Sequence, residues 1–247
     1  MRVKIDGIEL EVQPGEILLN AARRAGINIP TLCYHEAFGG QGHCRMCLVE
    51  VRKGAEVKLV ASCTYPINEE VEVKTRTPVV EKIRQNIVML LCKEAPASEI
   101  MQKMYVEYGC EANLLEPNEG ERCILCRLCV KACEKMGASA ISAVFRGTSK
   151  RIGTPYDEAS ADCIGCAACA QVCPTGAIEV RETSDTRTIW HRDFELVRCK
   201  ECGRVVGTKQ QLDYLRSKLN GITPDYELCD TCRRHRAAKR LKDYVRV

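Results

Sequence analysis

Large aromatic side chains are scarce in this 247-residue chain: Phe, Trp and Tyr together make up 5%, and there is one tryptophan. Aromatic rings dominate the cores of ordinary domains, so their shortage implies several small modules stabilised by something other than side-chain packing. Long apolar runs are missing too. None approaches the roughly 20 residues of a membrane span, the candidates being short stretches such as Ile87 to Cys92. Behind Met1 come Arg2, Val3, Lys4, Ile5 and Asp6 rather than an apolar signal region, so a soluble, cytoplasmic protein without a disulfide framework is expected. A glycine fingerprint between strand and helix is lacking, as is a phosphate-loop GK[ST]. A nucleotide or flavin site is therefore not expected here, and chemistry on a substrate falls to another chain.

Cysteine is what the sequence has in excess, with 18 residues. Two runs carry most of the information: Cys123, Cys126, Cys129 with Cys133, and Cys163, Cys166, Cys169 with Cys173, which precedes Pro174. The spacing C-x2-C-x2-C-x3-C, given twice, is that of a bacterial-type ferredoxin with two 4Fe-4S clusters. Three closely spaced thiolates cap one face of a cubane, while the fourth points away to the other cluster. Crossed wiring follows: Cys123, Cys126, Cys129 and Cys173 for one cluster, Cys163, Cys166, Cys169 and Cys133 for the other. Zinc favours CxxC pairs over CxxCxxC triplets. Strands are expected at Ser139 to Phe145 and, as its counterpart, Gly176 to Val180, in one domain spanning 117–182.

The first quarter reads as a hairpin, Arg2 to Val12 around Asp6-Gly7, then a helix from Ile17 to Ala25 ended by Gly26. Strand candidates follow at Met46 to Val51, Val57 to Ala61 and Val71 to Lys74. This order is compatible with a β-grasp over residues 1–76. Inside it lie Cys33, Cys44, Cys47 and Cys63, with Gly39, Gly40 and Gly42 in the loop before the CxxC. Four thiolates and a glycine loop suit a 2Fe-2S centre, with zinc as the rival on spacing alone. Residues 77–116 form a helical linker: Thr77 caps a helix with Pro78 at its first position and Val80, Ile83, Ile87 and Leu91 along one stripe, and a second helix places Ile100, Met104 and Tyr108 on one face.

The segments Ile29 to Glu36, Gly42 to Val51 and Ala61-Ser62-Cys63 resemble the N-terminal module of the large iron-sulfur subunit of respiratory complex I. The same module opens many iron hydrogenases, NAD-linked formate dehydrogenases and the small diaphorase subunit of bidirectional nickel-iron hydrogenases, the last being nearest in length. Arg151 to Pro155 before Cys163 also resembles this family. The resemblance implies a 2Fe-2S cluster on Cys33, Cys44, Cys47 and Cys63, with His35 and His43 flanking it. One feature departs. Relatives carry a further 4Fe-4S site of one histidine and three cysteines after the linker helix, whereas no histidine lies between residues 44 and 190 here. Only Cys92 and Cys110 remain, and two ligands cannot hold that cluster. Both read as core thiols, with a redox-reactive or partner-ligating role also open for Cys110.

Residues 183–247 read as a zinc-ribbon-like module. Cys199, Cys202, Cys229 and Cys232 form two CxxC knuckles, the spacing of a structural zinc site, though a third 4Fe-4S cluster or a single rubredoxin-like iron also fits. Between them Thr208 and Gln211 form a capping box, Leu212, Leu215 and Leu219 share a face, and Asn220-Gly221 stop the helix. Arg233, Arg234, Arg236, Lys239, Arg240, Lys242 and Arg246 then make a basic tail around Asp243. A solvated helix or an acidic protein partner explains it better than nucleic acid. Trp190 and His191 read as packing and surface residues.

The fold class expected is α+β in several modules. The function implied is that of an electron-relay subunit, between a flavin/NAD(P)-binding subunit and a hydrogenase, formate dehydrogenase or related catalytic subunit. A net charge of only +4 suits a docked subunit better than a freely diffusing carrier. A free multi-cluster carrier and a redox-sensing iron-sulfur regulator are the alternatives.

Overall fold

The structure, a computed structural model, describes residues 1–111, 120–219 and 225–245. The end of the linker (112–116), the start of the two-cluster segment (117–119), the helix stop at Asn220-Gly221 and Arg246 lie outside them.

The chain is mixed α+β. β1 (Arg2–Ile5) and β2 (Ile8–Glu11) form the opening hairpin, its turn made by Asp6 and Gly7, both at positive φ. β3 (Glu16–Ile17) leads into α1 (Leu18–Arg24), where Leu18, Leu19, Ala21 and Ala22 are all buried. β4 (Tyr34–His35) and β5 (Gly39–Gly40) pair within the cysteine loop. Then come β6 (Leu48–Lys53), β7 (Glu56–Ala61), β8 (Pro66–Ile67) and β9 (Glu72–Lys74). The five-stranded sheet runs β2-β1-β9-β6-β7, with β9 parallel to β1 and antiparallel to β6. Val3, Ile5, Val49, Val51 and Val73 alternate inward and pack with α1 into one core.

Thr77 caps α2 (Pro78–Glu94) as expected, its hydroxyl accepting from the Val80 amide at 3.2 Å. The buried stripe is rotated from the expected one. Val80, Arg84 and Val88 are buried, while Ile83, Ile87 and Leu91 are half-buried. The buried arginine explains the rotation: Arg84 donates from Nε to the Met46 carbonyl (3.0 Å) and from Nη2 to the Leu48 carbonyl (2.9 Å), tying α2 to the start of β6. In α3 (Glu99–Glu107) Met101 is the buried residue, with Met104 and Tyr108 beside it; Ile100 faces solvent, contrary to expectation.

α4 (Leu128–Lys135) carries Cys129 and Cys133, and α5 (Ala168–Gln171) carries Cys169. Between them β10 (Ser142–Val144) pairs with β11 (Arg151–Gly153). The strand expected at 176–180 as the counterpart of 139–145 is thus corrected. No strand forms at 176–180, because the Ala177 amide is committed to Cys173 Sγ and the chain runs straight on into another sheet. That sheet is β12 (Arg181–Glu182), β13 (Thr186–Ile189), β14 (Arg192–Arg198) and β15 (Val205–Thr208), in sequence order. α6 (Lys209–Lys218) follows, capped by Thr208, and α7 (Asp230–Val245) closes the described chain.

The four-stranded sheet lies directly on the second cysteine run. Arg192 reaches the carbonyls of Ser160, Ala161 and Cys163, Arg187 reaches that of Gly165, and Thr208 that of Ile164. Fully buried Phe194 covers Gly165, where an added Cβ would lie 2.5 Å from its ring.

Candidate metal centres

Cys33, Cys44, Cys47 and Cys63 are all at least 90% buried at one edge of the first sheet. Two loops deliver them. The β4-β5 ribbon brings Gly40 against Cys63, so tightly that a Cβ there would stand 2.4 Å from Cys63 Cβ and 2.6 Å from its sulfur. Only glycine permits that approach. The CxxC is held from behind by Arg84 and by Ser62, whose hydroxyl donates to the Cys47 carbonyl at 2.9 Å. The Cys44 amide points at Cys33 Sγ (3.4 Å). Hydrogen bonds from Cys44 and Cys63 hold the Cys33 thiol well below its ordinary range and push their own upward. Such a shared cage of sulfur suits an iron cluster, which binds thiolates and takes up hydrogen bonds at sulfur.

The two triplets have the same backbone device. Leu125 and Arg127 in the first, and Gly165 and Ala167 in the second, have left-handed backbones, so the chain curls around a central space. Backbone amides aim at cysteine sulfur: Leu125 at Cys123 (3.4 Å), Ala140 at Cys133 (3.2 Å) and Ala177 at Cys173 (3.3 Å). Cys123, Cys126, Cys129 and Cys173 line one cavity of about 240 Å³. Cys163, Cys166, Cys169 and Cys133 line a second. Each triplet is thus completed by the fourth cysteine of the other run. Burial pushes the Cys126 and Cys169 thiols up to about 11, and those of Cys123, Cys129, Cys163 and Cys166 in the same direction. Buried thiolates need a bound cation to stay ionised.

The C-terminal quartet is more compact. One ligand atom from each of Cys199, Cys202, Cys229 and Cys232 lies within 4.8 Å of all the others, and Cys202 and Cys229 sulfurs are 3.6 Å apart. The first pair sits where β14 turns toward β15, and the second at the start of α7. The Cys229 backbone beside it draws the Cys199 thiol down to about 6.

Cys92 and Cys110 join none of these four sets. Both are half-buried in the α2-α3 core, Cys110 Sγ facing the Gln85 carbonyl at 3.5 Å, and burial raises both thiols. His35 turns its Nδ1 to the Ala37 amide (3.1 Å) and stacks on Phe38, while His43 is exposed near Arg127 and Lys150. Three contributors escape a reading of the sequence. Arg84 was hidden by its charge on an apolar stripe, Phe194 by its distance from the cysteines, and Trp190, whose Nε1 donates to Cys169 Sγ at 3.4 Å, by its place in a hairpin turn.

Fold and thiol geometry together define an iron-sulfur protein with a 2Fe-2S domain followed by a 4Fe-4S dicluster unit. Residues 1–78 match the family described as 2Fe-2S iron-sulfur cluster binding domain, and residues 119–180 and 162–206 match two families of 4Fe-4S dicluster domain. The chain is similar to the NADH-ubiquinone oxidoreductase 75 kDa subunit of Reclinomonas americana, 29% identical over 91% of this chain and 35% of that protein. It is also similar to the mitochondrial NADH dehydrogenase [ubiquinone] iron-sulfur protein 1 of Solanum tuberosum, 30% identical over 79% of this chain and 29% of that protein. The chain therefore spans about a third of the length of these relatives. Among solved structures it resembles a chain of an NAD+-reducing [NiFe]-hydrogenase in the H2-reduced state, with a TM-score of 0.54 and 27% identity, covering 62% of this chain and 74% of that one. Among the described residues no helix is long and apolar enough to cross a membrane.

Proposed function

We propose that this chain is the electron-relay subunit of a multi-subunit cytoplasmic oxidoreductase. It carries single electrons between a flavin/NAD(P)-binding subunit and a hydrogenase, formate dehydrogenase or related catalytic subunit. The observation that carries the reading is continuity. Cys33 and Cys44 of the first site share one buried cluster with Ile124, Cys126 and Leu128 of the first triplet. Cys129, in turn, shares another with Cys163 and Cys169. The route from the 2Fe-2S pocket through both dicluster sites then runs within this one chain, with the His/Cys3 site of its relatives left out.

In this reading Cys33, Cys44, Cys47 and Cys63 hold one 2Fe-2S cluster in a β-grasp of residues 1–76, an assignment supported by the strand order and the central parallel pair. After the helical linker 77–116, the unit 117–182 holds two 4Fe-4S clusters with the crossed ligand sets described above, and each cluster supplies one-electron redox chemistry when bound. Residues 183–247 are a zinc-ribbon-like module docked on that unit. Four sulfurs around a single zinc at about 2.3 Å stand roughly 3.8 Å apart, which the compact quartet approaches; a cubane spreads its ligands further. Zinc is accordingly favoured over a third cluster there.

The test is anaerobic purification of the tagged protein from its native host. A flavoprotein and a catalytic subunit should accompany it, with NADH, hydrogen or formate oxidation measurable by a viologen dye. Metal analysis should give about ten iron atoms and one zinc per chain. Recovery of the chain alone with intact clusters would shift the reading to a free carrier or a redox-sensing regulator.

A further inference from the structure

Trp190 is the single tryptophan of the chain and belongs to neither cysteine run. It sits in the two-residue turn between β13 and β14, where Trp190 has φ 52° and His191 φ 62°. Turns of this kind favour Asn and Gly, and a bulky side chain at positive φ is an outlier that its surroundings must enforce. Those surroundings are specific. The hairpin is anchored by Arg187 and Arg192 on the carbonyls of the second run and by Phe194 on Gly165. Held there, the indole lines both cysteine cavities, the one with Cys123, Cys126, Cys129 and Cys173 and the one with Cys133, Cys163, Cys166 and Cys169. Its Nε1 donates to Cys169 Sγ at 3.4 Å.

We propose that Trp190 is a positioning residue for electron transfer, dividing the two 4Fe-4S sites and raising the reduction potential of the one held by Cys169. The inference rests on the cluster assignment proposed above. When that site gains one electron, the added negative charge is shared by its thiolate ligands. The indole N–H, which keeps its proton throughout, stabilises that charge at Cys169. No bond is made or broken, and one electron enters and leaves. The first site receives no such donor from Trp190, so the hydrogen bond separates the potentials of two sites with otherwise matching backbones.

Because no other tryptophan exists, biosynthetic replacement with benzothienylalanine changes this residue alone, substituting sulfur for the N–H in an isosteric ring. Full-length holoprotein carrying it, and Trp190→Phe, are titrated anaerobically with each 4Fe-4S signal followed by EPR. With iron content unchanged, the reduced-to-oxidised ratio of one 4Fe-4S cluster should fall about tenfold at fixed ambient potential, a shift of about 59 mV for a one-electron couple. The other cluster and the 2Fe-2S centre should stay put. Intact clusters with unmoved midpoints in the benzothienylalanine protein would overturn the role of Trp190 while leaving the cluster assignment standing. Absence of 4Fe-4S signals in the unmodified protein would overturn both. If Trp190→Phe loses a cluster through packing, the isosteric protein decides.

Discussion

Cys133 and Cys173 each stand at the end of a triplet's run, yet each lines the cavity of the other triplet. Single replacements therefore have expected effects at a distance in sequence. Cys173→Ala should remove the cluster of the Cys123 run, and Cys133→Ala that of the Cys163 run, each with a loss of about four iron atoms per chain and of one EPR signal. Loss of the cluster on the same run as the mutation would refute the crossed wiring. Gly40 makes a second case. An added methyl meets Cys63 backbone and sulfur at once, so Gly40→Ala should abolish the visible absorption of the 2Fe-2S centre and spare the 4Fe-4S signals. Gly54→Ala, with nothing within 4 Å but φ at 57°, should cost about 1 kcal/mol of stability and no iron.

At the level of elements, α2 acts as a brace for the first site. Arg84 satisfies two carbonyls in and just after the CxxC, and Arg84→Met would remove the arginine from the buried Met46 carbonyl and the half-buried Leu48 carbonyl. A destabilisation on the order of 2–4 kcal/mol is expected, read as a lower denaturant midpoint of the holoprotein. α7 is held differently, since its described side chains after Cys232 are half-buried or exposed. On the proposed zinc assignment, treatment with a strong chelator should free this helix, raising amide exchange over residues 225–241 while leaving 1–111 protected. The elements show how far sequence reaches. The opening hairpin, α1, α2, the three sheet strands and the Thr208 cap were legible because turn residues, caps and apolar periodicity are local signals. The partner of β10 was not. Its pairing with β11, and the absence of a strand at 176–180, depend on where Cys173 must point, which periodicity does not record. The buried face of α2 was misjudged for a related reason: a charged residue reads as solvent-facing until its carbonyl partners are known.

For the molecule as a whole, the cysteine spacings carried the proposed ligand sets, because iron-sulfur ligation is written in short motifs. The docking of residues 186–208 on the second run was not legible, being made by Arg187, Arg192, Phe194 and Thr208, none of which belongs to a motif. It matters for where the chain can be cut. A protein ending at residue 182 retains all eight dicluster cysteines but loses the carbonyl anchors of 160–165 and the cover on Gly165. Such a truncation is expected to retain about six iron atoms instead of ten, the Cys163-run cluster being the one lost; full iron content would show that the sheet is only an attachment.

β9 has a bearing on how the protein is made. It is the strand that joins β1 to β6, and it comes after all four cysteines of the first site. During synthesis the amino-terminal hairpin and the β6-β7 hairpin can each form from neighbouring residues, but the sheet that unites them has to wait for Glu72 to Lys74. Until then the amino-terminal part is tied to the β6-β7 part only by the short β3-β8 pair, Glu16 with Ile67 and Ile17 with Pro66. In the reading proposed above, every ligand of the first site is therefore made before the sheet is complete, and one three-residue strand, arriving last, completes it.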